Sequence, residues 1–421
     1  MHLGSYSTEE RIEKRVLAPG VTVLVQPVPA TYSVVIGVWV RVGSRDEDRR
    51  VAGITHFVEH MVFKGTERRS AYEIALALER VGGSLEAHTT KEYTCFYTRV
   101  LREHFDLALD VISDLLLRPT LEPEQIKLEQ GVVIEEINNV FDTPDDWIFE
   151  ILAEKLYGEH PLARPILGSR ESVSGITQPD LREFMARHYV GENVLISVSG
   201  AVESQEVLGK VEAAFGFAPG QVPHAELSVR PNPETVHFQV DEKLTQQYLV
   251  LGSTTMSYQN DDRYALLLLS TLLGGGMSSR LFQSVRENAG LCYAVSTMTE
   301  FARDGGFAGT FLAVSPENTK PALDLVWLEY EKLCRDGISQ RELEDTRDQL
   351  KGSMLLGMEN VASRMSRMAK NEIYFGRQIS VSEILRALDA VSCDDVARLA
   401  DAYLRREKNV LIGLGPVASL Q

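Results

Sequence analysis

Asn193-Val194-Leu195-Ile196-Ser197-Val198-Ser199-Gly200 and Asn409-Val410-Leu411-Ile412-Gly413-Leu414-Gly415-Pro416 are two versions of one phrase. Each is a short aliphatic run of strand length, and each follows a helical pattern, residues 180–189 in one case and 395–404 in the other. Recurrence of the same unit after about half the chain marks an internal duplication. Between the copies, residues 216–220 and 230–233 carry Pro219, Pro231 and Pro233, which cannot continue regular structure and suit a connector. The expected organisation is therefore residues 1–215 as one domain, 216–235 as a linker and 236–421 as a second, homologous domain.

Each half opens with period-two alternation, residues 21–28 and 32–42 in the first and 236–240 and 247–252 in the second. Helical periodicity follows at 54–63, 71–81, 103–117, 123–140 and 145–156, interrupted by a strand-like run at 84–99. The fold class this implies is α+β: two homologous α/β-sandwich domains, each a mixed or antiparallel sheet covered by helices.

The composition sets outer limits. With 421 residues there is room for two to four domains of ordinary size. Sixty acidic against 43 basic residues give a net charge of −17, which repels phosphate backbones and anionic lipid, so nucleic acid is not an expected partner. The longest apolar run, 265–273, is far short of the roughly 20 residues needed to span a bilayer. Residues 1–15 lack the apolar stretch and cleavage site of a secretory signal, so a cytoplasmic chain without a membrane segment is expected. Cys95, Cys292, Cys334 and Cys393 form no CxxC pair, which suits reduced, individually buried thiols. Any bound metal must then be held by His and carboxylate.

The chemistry is concentrated in His56-Phe57-Val58-Glu59-His60. On a helix, residues i and i+4 share a face, so two imidazoles one turn apart can converge on one ion, with Glu59 beside them as a general base. A solvated helix face is the bland alternative. Catalytic zinc takes three protein ligands and leaves a position for water. A third ligand can come from the helical stretch 129–138, where Glu129 and Glu136 share a face and Glu135 lies about 100° away. Spacing does not choose among them, and any one of these glutamates taken alone reads as surface charge. Gly274-Gly275-Gly276 lacks both phosphate-loop spacings and reads as a flexible loop.

The longer stretch His56-Phe57-Val58-Glu59-His60-Met61-Val62-Phe63-Lys64-Gly65-Thr66 resembles the signature of the pitrilysin-type inverzincins, the family of the mitochondrial processing peptidases, and in particular their bacterial homologues. The similarity continues through 82–94 and through Pro161-Leu162 to Pro165-Ile166-Leu167-Gly168. It implies one Zn2+ per chain, with His56, His60 and Glu136 as ligands, Glu59 as the catalytic base and Glu129 as a supporting carboxylate. It also implies that substrate lies along Ser84, Leu85, Glu86, Ala87 and His88, and that Arg286 and Tyr293 reach the substrate from the second half. The family commonly has Asn where this chain has Glu86; a negative charge there is expected to favour basic substrate residues, because an ionised carboxylate only accepts hydrogen bonds.

The function implied is zinc-dependent endopeptidase cleavage of peptides or unfolded polypeptides in an enclosed chamber. Two domains make half of a clam-shell, so a homodimer is expected, with a heteromer containing an inactive partner as the alternative. The competing readings are a non-catalytic structural subunit of the same fold and a zinc hydrolase of a non-peptide substrate.

Overall fold

The computed structural model describes residues 10–222, 227, 229 and 236–420. Six strands, β1 (Glu13–Leu17), β2 (Val21–Pro27), β3 (Ser33–Val40), β4 (Ser84–Thr89), β5 (Thr94–Leu101) and β6 (Val194–Gly200), form one sheet in the order β1-β2-β6-β3-β5-β4. Five more, β7 (Val236–Val240), β8 (Gln247–Thr255), β9 (Cys292–Phe301), β10 (Gly306–Val314) and β11 (Val410–Gly415), form a second in the order β7-β11-β8-β10-β9. Without β1 the two orders are the same, and the duplicated phrase occupies the equivalent strands β6 and β11. Both sheets are mixed. β2 pairs in parallel with β6 and β7 with β11, while the other pairings are antiparallel. The strand-like run at 84–99 is a hairpin whose turn is 90–93, and β4 and β9 are the corresponding edges.

Helices α1 (Ile54–Val62), α2 (Ala71–Glu79), α3 (Phe105–Leu117), α4 (Pro123–Asp142) and α5 (Pro144–Tyr157) follow in the first half. Alternation along β3 explains how the sheet is covered on both faces. Val34, Ile36, Val38 and Val40 join Phe57, Met61, Ile112 and Val133 in the core under α1, α3 and α4. Val35 and Trp39 point the other way, onto Met365, Met368 and Ala369 of helix Val361–Phe375. The Trp39 indole donates to Met365 Sδ at 3.4 Å, and Ser197 Oγ donates to the Met365 carbonyl at 2.9 Å.

The reciprocal contact is made by α5. Its Ile148, Ile151, Leu152 and Leu156 pack on Val250, Phe311 and Ile412 of the second sheet. Each half thus lends one helix to the inner face of the other's sheet. A buried ion cluster fastens the same junction: Arg45 donates to Glu92 at 2.6 Å and to Asp304 at 2.9 Å, with Arg45's side chain only 2% exposed. Arg45 precedes α1, Glu92 is in the β4–β5 turn, and Asp304 is in the turn between β9 and β10.

Two expectations need amending. Gly274 is the buried last residue of helix Arg263–Gly274 rather than part of a flexible loop, because a Cβ there would meet the Thr297 backbone nitrogen on β9 at 2.7 Å. Of the cysteines, all free, only Cys95 is buried; Cys292, Cys334 and Cys393 are partly exposed. In the connector, Ala218 bridges to Val190 beside the first sheet, whereas Pro231 and Pro233 lie outside the described residues. Among the described residues no helix is long and apolar enough to cross a membrane.

Candidate metal centre

Helix α1 forms because Ile54, Phe57, Val58 and Met61 repeat at i, i+3, i+4 and i+7 and are all buried on the first sheet. Its start is held from outside. Glu47 accepts from the backbone N–H of Gly53 at 2.7 Å and of Thr55 at 2.8 Å, taking the place of a capping side chain. Gly53 is left-handed at φ 90°, and a Cβ there would meet the Leu167 carbonyl at 2.5 Å. Gly168, at φ 72°, would in turn strike the Ala52 carbonyl at 2.2 Å. The stretch Pro165-Ile166-Leu167-Gly168 is therefore the surface against which the amino end of α1 is seated.

With its apolar stripe fixed inward, α1 presents His56, Glu59 and His60 on its remaining face. Helix α4 crosses it and presents Glu129, 3% exposed, and Glu136, while Glu135 faces solvent. Glu136 Oε2 lies 3.7 Å from His56 Nε2 and 3.6 Å from His60 Nε2, and the donor atoms of all three residues lie within 4.8 Å of one another. These separations are too long for hydrogen bonds. They suit three tetrahedral ligands, which at bond lengths near 2.1 Å stand about 3.4 Å apart. The nitrogen–nitrogen–carboxylate donor set also suits zinc.

Glu129 acts on the opposite side of His60. Its Oε1 is 2.8 Å from His60 Nδ1 and its Oε2 is 2.6 Å from Lys64 Nζ. An N–H at Nδ1 donating to Glu129 leaves the Nε2 lone pair free toward Glu136, the carboxylate–histidine arrangement common behind metal ligands. Burial works against ionisation of Glu129, but the His60 and Lys64 hydrogen bonds prevail and hold its pKa below the usual carboxylate value.

The two imidazoles are shifted in opposite directions. Burial, together with the charge of His60, drives His56 down to about 3, and its buried Nδ1 has no hydrogen-bond partner among the described residues. Burial also opposes charge on His60, but the Glu129 hydrogen bond and the surrounding carboxylates outweigh it and raise its pKa. Glu59 is raised by burial, against the pull of Thr89, whose hydroxyl donates to Glu59 Oε2 at 2.5 Å.

Edge strand β4 carries the residues expected along a substrate. Leu85 and Ala87 pack into the core on α1's side of the sheet, and Thr89 shares their face and meets Glu59. Glu86 and His88 point to the other face. Glu86 accepts from the Tyr97 hydroxyl, and the His88 ring lies edge-on to Trp39 and Tyr93 at 6.0 Å from each. Alternation thus turns the Glu86 charge away from the imidazoles. Arg286, in the π-helical turn Phe282–Asn288, and Tyr293, on edge strand β9 and 75% exposed, are brought together with the guanidinium 5.4 Å from the ring. Among the described residues neither makes a hydrogen bond or ion pair with the imidazole–carboxylate cluster. Thr89 and Lys64 went without a role in the reading of the sequence. Their signals were position: Lys64 one helical turn beyond His60, and Thr89 two residues beyond Ala87.

Residues 22–170 match the family model described as insulinase, peptidase family M16, and residues 175–350 match the model described as the M16 inactive domain. The chain is 38% identical over 383 residues to the uncharacterized zinc protease YmxG of Bacillus subtilis, covering 90% of this chain and 93% of the relative. It is 36% identical over 410 residues to an uncharacterized zinc protease of Mycobacterium tuberculosis, covering 96% and 93%. Its fold is shared with the crystal structure of a protease from Helicobacter pylori, at a TM-score of 0.91 and 21% identity over 97% of this chain and 100% of that one. It is shared also with a chain of complex III from Candida albicans, at 0.84 and 19% over 98% and 97%.

Proposed function

Because this chain belongs to the M16 family of insulinase-type peptidases, we propose that it is a zinc-dependent endopeptidase acting on peptides and unfolded polypeptides. The observation that carries the reading is the convergence of His56, His60 and Glu136 within 4.8 Å, with Glu59 on the same helix face. His56, His60 and Glu136 would hold one zinc ion per chain, which would supply Lewis acidity toward the scissile carbonyl and toward a water.

The remaining work falls to the chain's own groups. Thr89 holds Glu59 Oε2, leaving Oε1 to take the proton of the attacking water and deliver it to the departing nitrogen. The raised pKa of Glu59 brings its carboxyl nearer the range in which it both accepts and releases that proton at neutral pH. Glu129 keeps His60 in the tautomer and orientation that ligation requires. β4 has a free edge, so an extended segment can pair with the main chain of Ser84–Thr89, a mode that selects extended chains over folded ones. Tyr293 offers a hydroxyl and Arg286 a fixed positive charge to the substrate carbonyl from the second half.

Two domains of this kind form half of a closed chamber, and one chain carries both the metal donors and the Arg286–Tyr293 pair. A homodimer follows, with a solution mass of two chains as its check. The four free thiols suit a reducing, cytoplasmic setting. The function is tested by zinc content and peptide hydrolysis in the wild type and Glu59→Gln. Stoichiometric zinc in both, with turnover in the wild type alone, is the expected result. Zinc without turnover in either would favour a structural subunit or hydrolysis of another bond, and full activity of Glu59→Gln would overturn the mechanism.

A further inference from the structure

A cavity of about 850 Å³ lies between the two halves, enclosed by α5, β9, the β4–β5 turn and helix Val361–Phe375. Thr90, one residue past the Thr89 that holds Glu59, is part of its wall. Most of its wall is apolar and aromatic, so each charged group on it needs an explanation. Glu92 is paired with Arg45, and Arg367 with Glu10. The Lys91 ammonium donates to the Arg164 carbonyl and lies in the fields of Glu150 and Glu300, of whose two charges it offsets one, and Arg263 donates to the Asn260 carbonyl and the Tyr264 hydroxyl.

Lys370 is different. Its ammonium stands 6.0 Å over the Tyr93 ring and makes no hydrogen bond or ion pair among the described residues. Burial keeps its pKa below the ordinary lysine value, and its charge depresses His88 in turn. A half-buried cation facing an apolar cavity without an anion is an unfavourable arrangement that an incoming carboxylate relieves.

The register says how such a group would arrive. A strand laid along the free edge of β4 alternates its side chains between the two faces of the sheet. Residues opposite Ala87 and Thr89 share the α1 face, whereas the residue opposite His88 shares the face of Trp39 and Tyr93, where the cavity and Lys370 lie.

We propose that the cavity receives a carboxylate of the substrate chain, that Lys370 is the specificity-determining residue holding it, and that an acidic side chain or a free C-terminus can supply it. The proposal deepens the peptidase reading and rests on it. Its test uses the zinc-loaded full-length protein and a cleavable reference peptide in which Gln, Glu and Lys are exchanged at each of the residues flanking the cut, together with the C-terminal acid and amide of that peptide.

In the wild type, one position favours Glu over Gln by about tenfold in kcat/KM, the size of one charge-assisted contact. That ratio falls to about one in Lys370→Met and reverses toward the Lys peptide in Lys370→Glu. If the free C-terminus is the source, the same advantage follows the acid over the amide instead. Equal rates throughout the wild-type scan together with equal rates for the C-terminal acid and amide, or an acid preference of either kind that survives in Lys370→Met, overturn the proposal while leaving turnover, and so the peptidase reading, intact. Should the wild type cleave no peptide, calorimetric binding of the Glu and Gln peptides and of the C-terminal acid and amide to zinc-loaded Glu59→Gln decides the matter, and equal affinities within both pairs overturn the proposal.

Discussion

Helix α1 and helix Arg263–Gly274 hold the same place in the two halves, each following a central strand and preceding an edge strand. α1 buries one stripe and leaves His56, Glu59 and His60 on the other. Helix Arg263–Gly274 buries Leu266, Leu269, Leu272 and Leu273 and offers no imidazole or carboxylate at all. Their crossing partners differ in the same way: α4 brings Glu129 and Glu136, whereas helix Gln340–Gly357, in the equivalent place, seals the other core with Leu343. One frame therefore serves chemistry in one copy and packing in the other, and fold alone assigns neither role.

The largest test of that contrast pairs Glu59→Gln with Leu269→Ala. The first is expected to lower kcat by about 10² to 10⁴ with little change in stability, the range for loss of a positioned general base. The second removes a side chain only 1% exposed and is expected to cost about 2–5 kcal/mol of stability without lowering zinc content. Peptide assays, thermal unfolding and metal analysis on both variants check this, and zinc loss in Leu269→Ala would end the separation of roles.

The junction of the halves comes next. Asp304→Asn leaves Arg45 with Glu92 as its sole anionic partner, and removal of one member of a buried ion cluster costs about 3 kcal/mol. Denaturant unfolding should show that loss. A change of less than half a kcal/mol would mean that the halves are held by the exchanged helices alone.

A smaller effect is expected at Glu129, which touches an imidazole and not the ion. Glu129→Gln should weaken zinc affinity or activity about 10- to 100-fold. Competition with a chelator of known affinity measures it, and an unchanged affinity together with unchanged turnover would remove the supporting role.

The finest distinction lies between the two imidazoles. His60 has a raised pKa and is protonated just below it, so protons compete with zinc there and affinity falls as the pH drops through that value. His56, held down to about 3, stays neutral over the same range. Below the His60 pKa, zinc binding to the Glu59→Gln protein, in which the raised base is absent, should release one proton and not two. Calorimetry in buffers of different ionisation enthalpy counts them.

The duplication was legible because strands β6 and β11 keep both their pattern and their neighbours, and the metal donors because i and i+4 on a helix share a face. The crossing of α4 onto α1 was not, since Glu129, Glu135 and Glu136 differ on a helical wheel only by angle, and which angle meets a neighbour is decided by packing. Exchange of α5 and helix Val361–Phe375 was hidden for a related reason. Ile148, Ile151, Leu152 and Leu156 announce an apolar stripe without saying whose sheet it covers. The direction of Glu86 was not legible either: next to Ala87 in sequence, it stands on the opposite face of β4.

The most direct measurement is anomalous diffraction at the zinc edge from crystals of the zinc-loaded protein. The expected map holds one peak per chain bonded to His56 Nε2, His60 Nε2 and a Glu136 oxygen at about 2.0–2.2 Å, with Glu129 on Nδ1 of His60 and off the ion. A peak held by other side chains, or none at saturating zinc, would contradict the account.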